Sequence, residues 1–281
     1  MASEDHFKLL KQGASSWNRW RQENVDIRPD LQGAALSGLY LSGFNLIKAN
    51  LSWANLRQAN LSKANLSESY LTKADLSQAN LNGADLYGAD LGSAILNGTR
   101  LRWADLRGVD FNRVDLSQAD LSQAKLRGAN FSQARVGYTA FGGVDLSRVQ
   151  GLDTVRHLAP SIIGIDTIFR SGGKIPKNFL QQAGVPDDLI KALENSAAIA
   201  AGSYSSNQIE SWLTTLQKEL DLVLENLANR RKIKSNYGPD TPLPILNEIE
   251  CLEAEKSRIE AEFTNFANLL KQHSQQVNQS A

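Results

Sequence analysis

Residues 49–69 read ANLSWANLRQANLSKANLSES, with a leucine at every fifth position. On an α-helix, residues five apart are rotated by about 140°, so these leucines would scatter around the axis. On a flat strand, an odd spacing sends successive leucines to opposite faces. A chain that turns a corner in every pentad buries all of them together, and the five-residue period therefore predicts a solenoid.

The five-residue period extends well beyond this stretch. All 24 positions spaced by five from residue 31 to residue 146 are apolar, and 20 of them are leucine. Two residues before each of these positions, alanine fills 15 of the 24 places, and Asp or Asn fills 16 of the 24 places in between. Side chains two apart in an extended segment share a face. We therefore expect leucine and alanine to point inward, and the Asp or Asn between them to point outward.

This tandem A(N/D)LXX motif resembles the pentapeptide repeat proteins, of the cyanobacterial type, over about 120 residues. The resemblance implies an all-β solenoid, a right-handed quadrilateral β-helix with four pentads per coil. The 24 pentads then give about six coils, in which residues twenty apart stack. Solenoid ends expose paired edges and apolar cores, so they need caps. We therefore expect an N-terminal capping helix and an α-helical C-terminal region.

The composition changes on both sides of the repeats and divides the chain into four segments. Residues 1–28 are expected to form an N-terminal helical cap, because Ser3 precedes two acidic residues and apolar residues follow at helical spacing. The β-helix is predicted over residues 29–150. A C-terminal capping segment with short helices is expected over residues 151–196, and an antiparallel helical hairpin over residues 203–278.

The hairpin is predicted from two apolar runs that alternate steps of four and three, at residues 209–227 and 245–270. Between them, NYGPDTPLP at residues 236–244 breaks the helix with glycine and prolines. Two helices alone bury one seam, and Trp212 and Phe266 are large for it. The hairpin is therefore expected to pack on its own solenoid, on a second copy or on another protein, and the sequence leaves these alternatives open.

The residues that usually carry enzyme chemistry are few and scattered. His6, His157 and His273 lie in three different segments, and with Cys251 they make no metal-ligand spacing. The SGGK sequence at residues 171–174 lacks the remainder of a phosphate-binding loop. A solenoid interior filled by leucine leaves no pocket. We therefore expect no enzyme activity, no cofactor, no metal and no small-molecule substrate.

The composition of the chain also indicates its cellular compartment. The chain carries 30 basic and 30 acidic residues, so its formal net charge is zero. It contains no run of 18 apolar residues that could span a membrane. The start, MASEDHF, is acidic and lacks the apolar core of a secretory signal, and a single cysteine forms no internal disulfide. These features predict a cytoplasmic protein without a membrane span.

The resemblance also raises a function connected with nucleic acid, because some pentapeptide repeat proteins mimic DNA. Mimicry needs a line of negative charge, since a duplex carries one charge per roughly 1.7 Å of its axis. Residues 31–150 hold nine acidic and twelve basic side chains, a small positive excess. Direct binding of nucleic acid is also disfavoured, because aspartates are interspersed among the arginines. The charge pattern therefore argues against both nucleic-acid hypotheses.

The outward aromatic and basic side chains form the candidate interaction surface. Large exposed aromatics are enriched at protein interfaces. The candidate residues are Trp53, Tyr87, Trp103, Arg107, Arg127, Trp212 and Phe266. We interpret the protein as a non-catalytic scaffold or adaptor that binds protein, or associates with itself, through the hairpin and one solenoid face. The alternative is a topoisomerase or nucleic-acid modulator.

Overall fold

The computed structural model of this chain has two compact units, Met1–Asn195 and Ser196–Ala281. The pentad repeats lie entirely within the first unit. The structure describes residues 3–185, 187, 190, 206–238, 245, 249, 252, 253, 256, 257 and 260.

The first unit is built on a ladder of parallel β-bridges that joins residues twenty apart. The ladder begins with Asp30 paired to Asn50, recurs in every pentad as far as Asp120 paired to Ala140, and has one further bridge between Asn130 and Gln150. Around the first bridge, the Asn50 N–H donates to the Pro29 carbonyl at 2.8 Å. The bridges are isolated because the chain turns after each one. Each twenty-residue segment is thus a coil whose backbone bonds to the next coil.

Each coil turns through tight turns whose third residue has a positive φ. In the first turn, the Ala34 N–H donates to the Leu31 carbonyl at 3.0 Å and Gly33 has a φ of 67°, which is type II geometry. Fourteen non-glycine residues adopt the same conformation, among them Trp53 at 62°. This conformation costs an L-residue about 1–2 kcal/mol. The ladder holds it, since the Trp53 N–H donates to the Thr72 carbonyl at 3.0 Å.

The interior of the coils is filled at the places that the repeat pattern assigns to it. Leu51 and Leu56 are completely buried, and Ala54 between them is buried as well. In the later coils, phenylalanine replaces leucine, and the rings of Phe111 and Phe131 pack with their centroids 4.9 Å apart. Each fully buried side chain of this size stabilises the fold by about 1.5–3 kcal/mol before entropy is counted.

The ladder continues past residue 150, where the leucine period stops. It contains β1 (Arg135–Val136), β2 (Ala140–Phe141), a 3₁₀ turn at Leu152–Thr154, β3 (Arg156–His157) and β4 (Ile162–Ile163). β1 pairs with β3 and β2 pairs with β4, both in parallel. The spacing grows to 21 residues in the first pair and 22 in the second. Sequence analysis predicted a capping segment with short helices here, because these residues lack the five-residue period.

Two short helices follow these strands, α3 (Ile165–Arg170) and α4 (Lys177–Gln182). The Thr167 hydroxyl on α3 donates to the Phe141 carbonyl. The Phe179 ring on α4 meets the Phe141 ring edge-on, with centroids 5.8 Å apart. Both helices therefore cover the end of the ladder at β2.

Two further helices precede the ladder, α1 (Glu4–Leu10) and α2 (Ala14–Glu23). They are separated at Gly13, which has a φ of 97°, so two short helices stand where the apolar spacing suggested one. Trp17 on α2 is completely buried, and its indole N–H donates to the Asn45 carbonyl at 2.7 Å. These contacts place α2 against the first coil.

The second unit contains α5 (Ser206–Tyr237), a helix of 32 residues. Val223 and Leu227, which belong to the predicted apolar seam, are buried. The Arg231 guanidinium donates to the Glu253 carboxylate at 2.9 Å. The second helix of the predicted hairpin lies largely outside the described residues. Within the described part of the chain, no helix combines the length and hydrophobicity that crossing a bilayer requires.

Candidate functional site

Tyr87, Arg107 and Arg127 occupy the same place in three successive coils. This column follows from the twenty-residue register of the ladder. The Arg107 guanidinium lies 5.5 Å from the centroid of the Tyr87 ring, within cation–π distance. All three side chains are exposed. The column therefore presents one aromatic ring and two guanidinium groups at one corner of the coils.

Arg107 is held by a carboxylate of its own pentad. Its Nε and Nη2 atoms donate to the two oxygens of Asp105 at 2.7 Å each, and Lys125 Nζ lies 3.7 Å from Asp105. The hydrogen bonds from Arg107 hold the pKa of the Asp105 carboxyl below its usual value, and Asp105 raises the pKa of Arg107. The surface here is thus a mixture of both charges rather than a basic track for nucleic acid.

Trp53 and Trp103 project from two of the tight turns. Each is 58% exposed. Lys73 Nζ lies 4.3 Å from the Trp53 ring centroid, and the Arg102 guanidinium lies 4.7 Å from the Trp103 ring centroid. The positive φ of these turns directs both rings outward, so each indole offers apolar area with a cation at its face.

The structure does not gather the predicted residues into one site. Trp53 and Trp103 are separated by two and a half periods of the ladder, so they lie on opposite sides of the coil. Tyr87 stands at a third corner. Trp212 belongs to α5, but its side chain is outside the described residues, and so is Phe266. The candidate residues of the first unit therefore form separate patches.

The outward Asp and Asn side chains bind the turns that follow them. Asn50 Oδ1 accepts a hydrogen bond from the Ser52 N–H at 3.2 Å. Partial burial raises the pKa of Asp75, but hydrogen bonds from Ser77 and Arg57 outweigh it and leave this pKa below its usual value. This Asx-turn geometry recurs along the ladder. These side chains therefore act in the turns, which explains their frequency without invoking acid–base chemistry.

Ser171 of the SGGK sequence and His157 take part in packing. Ser171 is buried, and its hydroxyl accepts from the Leu146 N–H at 2.9 Å and donates to the Thr167 carbonyl at 2.7 Å. His157 packs edge-on against Phe179 at 4.8 Å, and burial lowers its pKa. Among the described residues, no group of three His, Cys, Asp or Glu side chains is placed to hold a metal ion.

Several exposed tyrosines were not singled out by sequence analysis, among them Tyr40 and Tyr138. Tyr40 is 83% exposed and stands where the repeat usually has Asp or Asn. Tyr138 is also exposed and occupies the positive-φ place of its turn. Both could have been identified from the sequence, because each is an aromatic residue at a position of the repeat that is usually polar.

A family model described as pentapeptide repeats matches the chain in 8 copies, within residues 30–62, 49–86, 59–98, 84–123, 94–133 and 110–148. No curated protein matches the chain.

Among solved structures, the chain is similar to the following three proteins. Rfr23, a pentapeptide repeat protein from the cyanobacterium Cyanothece 51142, is 27% identical over 41% of this chain and 94% of that chain, with a TM-score of 0.32. HetL from Nostoc sp. strain PCC 7120, involved in heterocyst differentiation regulation, is 30% identical over 50% of this chain and 72% of that chain, with a TM-score of 0.29. QnrB1, a plasmid-mediated fluoroquinolone resistance protein, is 17% identical over 48% of this chain and 80% of that chain, with a TM-score of 0.25.

Proposed function

Because the chain belongs to the pentapeptide repeat family through residues 30–148, we propose that it is a non-catalytic scaffold or adaptor for protein–protein interaction. The observation that carries the proposal is the pair of indoles, Trp53 and Trp103, each 58% exposed and fixed on a hydrogen-bonded turn. A protein interface uses such preordered aromatic side chains because little conformational entropy is lost when they bind.

The proposal includes the finer description of the fold. We infer that residues 29–150 form a right-handed quadrilateral β-helix of about six coils, supported by the twenty-residue register and the four turns in each register interval. Residues 1–28 and 151–196 are proposed as its caps. The hydrogen bonds of Trp17 and Thr167 to coil carbonyls support both assignments.

We also propose that residues 203–278 form an antiparallel hairpin that contributes a second binding surface. The buried Val223 and Leu227 on α5 and the contact between Arg231 and Glu253 support it. Self-association through this hairpin is an alternative within the same function. A cytoplasmic location belongs to the proposal as well, and the single cysteine of the chain supports it.

The experiment is a quantitative affinity capture from native lysate with the full chain as bait. The test variant carries Trp53→Ala and Trp103→Ala. The matched control carries Gln58→Ala and Gln118→Ala, which lie at the same positive-φ place of other turns and are also exposed. A tryptophan at the centre of an interface is worth about 2 kcal/mol or more, or roughly a 30-fold change in affinity.

We expect the unchanged chain and the glutamine control to recover the same protein in equal amounts. The tryptophan variant should fail to recover it. Equal recovery by both double variants would contradict a role for the indoles. A chain that ends at residue 195 then measures how much of the same recovery depends on the second unit. An unchanged recovery by that shorter chain would remove the hairpin from the proposed interface.

A further inference from the structure

Around one corner of the first coil, several main-chain hydrogen-bonding groups have no partner among the described residues. In later coils, the bridged residue of each pentad pairs with the preceding coil, as Asn55 N–H does with the Ala34 carbonyl at 3.0 Å. In the first coil, no described residue bonds to the N–H groups of Ala35 and Tyr40 or to the carbonyls of Ala35, Ser37, Tyr40 and Ser42. We name residues 35–42 the open corner.

The other two sides of the first coil are occupied by the N-terminal helices. The Asp30 N–H donates to His6 Nδ1 at 3.1 Å, and its carbonyl accepts from the Ser3 N–H at 3.0 Å. The Asn45 carbonyl accepts from the Trp17 indole at 2.7 Å. The coil edge is therefore capped on the sides of Asp30 and Asn45 and open on the two sides that meet at the open corner.

The opposite end of the ladder indicates what fits on these two sides. Arg135 and Ala140 stand in the same columns as Ala35 and Tyr40, at a multiple of the twenty-residue register. There, β3 pairs in parallel with the strand that begins at Arg135, and β4 with the strand that begins at Ala140. Both sides are thus closed by extended main chain at the far end. An unpaired edge of this kind takes an added strand.

The charged residues around the open corner indicate which charge the added strand carries. Residues 34–44 and 54–64, which make up the two open sides in the first two coils, contain Arg57 and Lys63 and no acidic residue. Arg57 pairs with Asp75 of the third coil at 3.2 Å. Because this pair already balances the charge of Arg57, Lys63 is the cation that a carboxylate of the added segment complements.

We propose that the open corner binds an extended, acidic segment of another protein through main-chain hydrogen bonds. Tyr40 contributes its exposed ring to an apolar side chain of that segment. The proposal goes beyond the scaffold function, because it adds a surface that involves neither the indoles nor the second unit.

The probe is an acetylated nine-residue peptide of alternating glutamate and valine, labelled with a fluorophore and titrated onto the full chain. One control peptide carries N-methyl groups on alternate amides, which removes its main-chain donors on one side. A second control replaces glutamate by lysine. Fluorescence anisotropy gives the affinity, and amide hydrogen exchange shows which backbone groups become protected.

We expect the acidic peptide to bind and to slow exchange at Ala35 and Tyr40. Both control peptides should bind at least about tenfold more weakly, since each loses about 1.4 kcal/mol or more. Tyr40→Pro removes one donor of the edge and should abolish binding, whereas Tyr40→Phe should retain it. Should the proline variant unfold, Lys63→Gln provides the second test and should weaken binding of the acidic peptide alone.

Three results would overturn the proposal. The first is that the acidic peptide does not bind, and the second is that its N-methylated form binds equally well. The third is that the chain associates with itself and that Tyr40→Pro abolishes this association, because a second copy would then be the occupant. The variant with Trp53→Ala and Trp103→Ala should bind the peptide normally. Peptide binding by this variant separates this proposal from the scaffold function. The indoles can prove to have no role while the open corner still binds the peptide, and the reverse is also possible.

Discussion

Replacing Ser69 by alanine should stabilise the protein, although it removes a hydroxyl group. Ser69 occupies one of the inward places that alanine usually fills, and it is 1% exposed. Its Oγ atom has no hydrogen-bond partner among the described residues. Ala49 and Ala89 occupy the same column in the coils on either side and are buried there, so alanine fits the column without rearrangement.

The magnitude follows from the cost of a buried polar group without a partner. Such a group costs about 1–3 kcal/mol, and removing its oxygen leaves a void smaller than a methyl group. We therefore expect Ser69→Ala to raise the free energy of unfolding by about 1 kcal/mol. In a unit of this size, the melting temperature should rise by about 2–4 °C.

Thr99 provides the matched control, because it is a buried hydroxyl residue at the same kind of place. Its Oγ1 donates to the Leu76 carbonyl at 2.8 Å, so Thr99→Val should lower stability by about 1 kcal/mol. Urea unfolding followed by circular dichroism measures both changes. A Ser69→Ala variant that is less stable than the unchanged protein would refute the reasoning, and so would two variants that change stability in the same direction.

Three further predictions concern the cap, the turns and the pH dependence. Trp17→Ala should destabilise the protein by about 3–5 kcal/mol in thermal or urea unfolding, because a fully buried indole and its bond to Asn45 are lost; a loss under 1 kcal/mol would contradict its role. Gln118→Val should cost about 1–2 kcal/mol at its positive φ, whereas Gln118→Gly should cost less, and equal losses in urea would argue against turn strain. Burial lowers the pKa of His157 in the folded state, so its contribution is present above the ordinary value of 6.5 and is lost as the pH falls below it. His157→Phe should therefore reduce the fall in melting temperature between about pH 7.5 and pH 5, and an unchanged fall would exclude this histidine as a source.

The repeat core could be predicted from the sequence because one physical requirement sets it. A leucine at every fifth place can be buried only if the chain turns in every pentad, and Leu51 and Leu56 are buried as this requires. The turn conformation was not predicted. Lys48 and Trp53 adopt a positive φ that their residue types do not favour, and the hydrogen bonds to the next coil impose it.

The end of the ladder was not predicted for a related reason. β3 and β4 continue the pairing without the leucine period, and the extra residues between them shift the spacing to 21 and 22. Pairing of this kind depends on backbone groups, which all residues share. Residue patterns therefore do not reveal it.

The contacts of Arg107 were predicted in part. The register places Arg107 beside Tyr87, which the twenty-residue stacking anticipated. The bidentate pair between Arg107 and Asp105 was not anticipated, because it forms within a pentad after the turn has brought the two side chains together. The open corner could not be seen in the sequence at all, since it consists of main-chain groups that lack a partner among the described residues.

The stacking of residues twenty apart is the claim on which the surface columns and the open corner both depend. Spin labels on Gln58→Cys and Tyr138→Cys, with Cys251 replaced by serine, test it directly by electron–electron distance measurement. Both positions occupy the exposed third place of turns at one corner, four coils apart. At about 4.8 Å per coil, their backbones should be about 19 Å apart, with one narrow distance distribution. A distance above about 30 Å would contradict the stacking, because the chain between the two positions would then extend further than four stacked coils do.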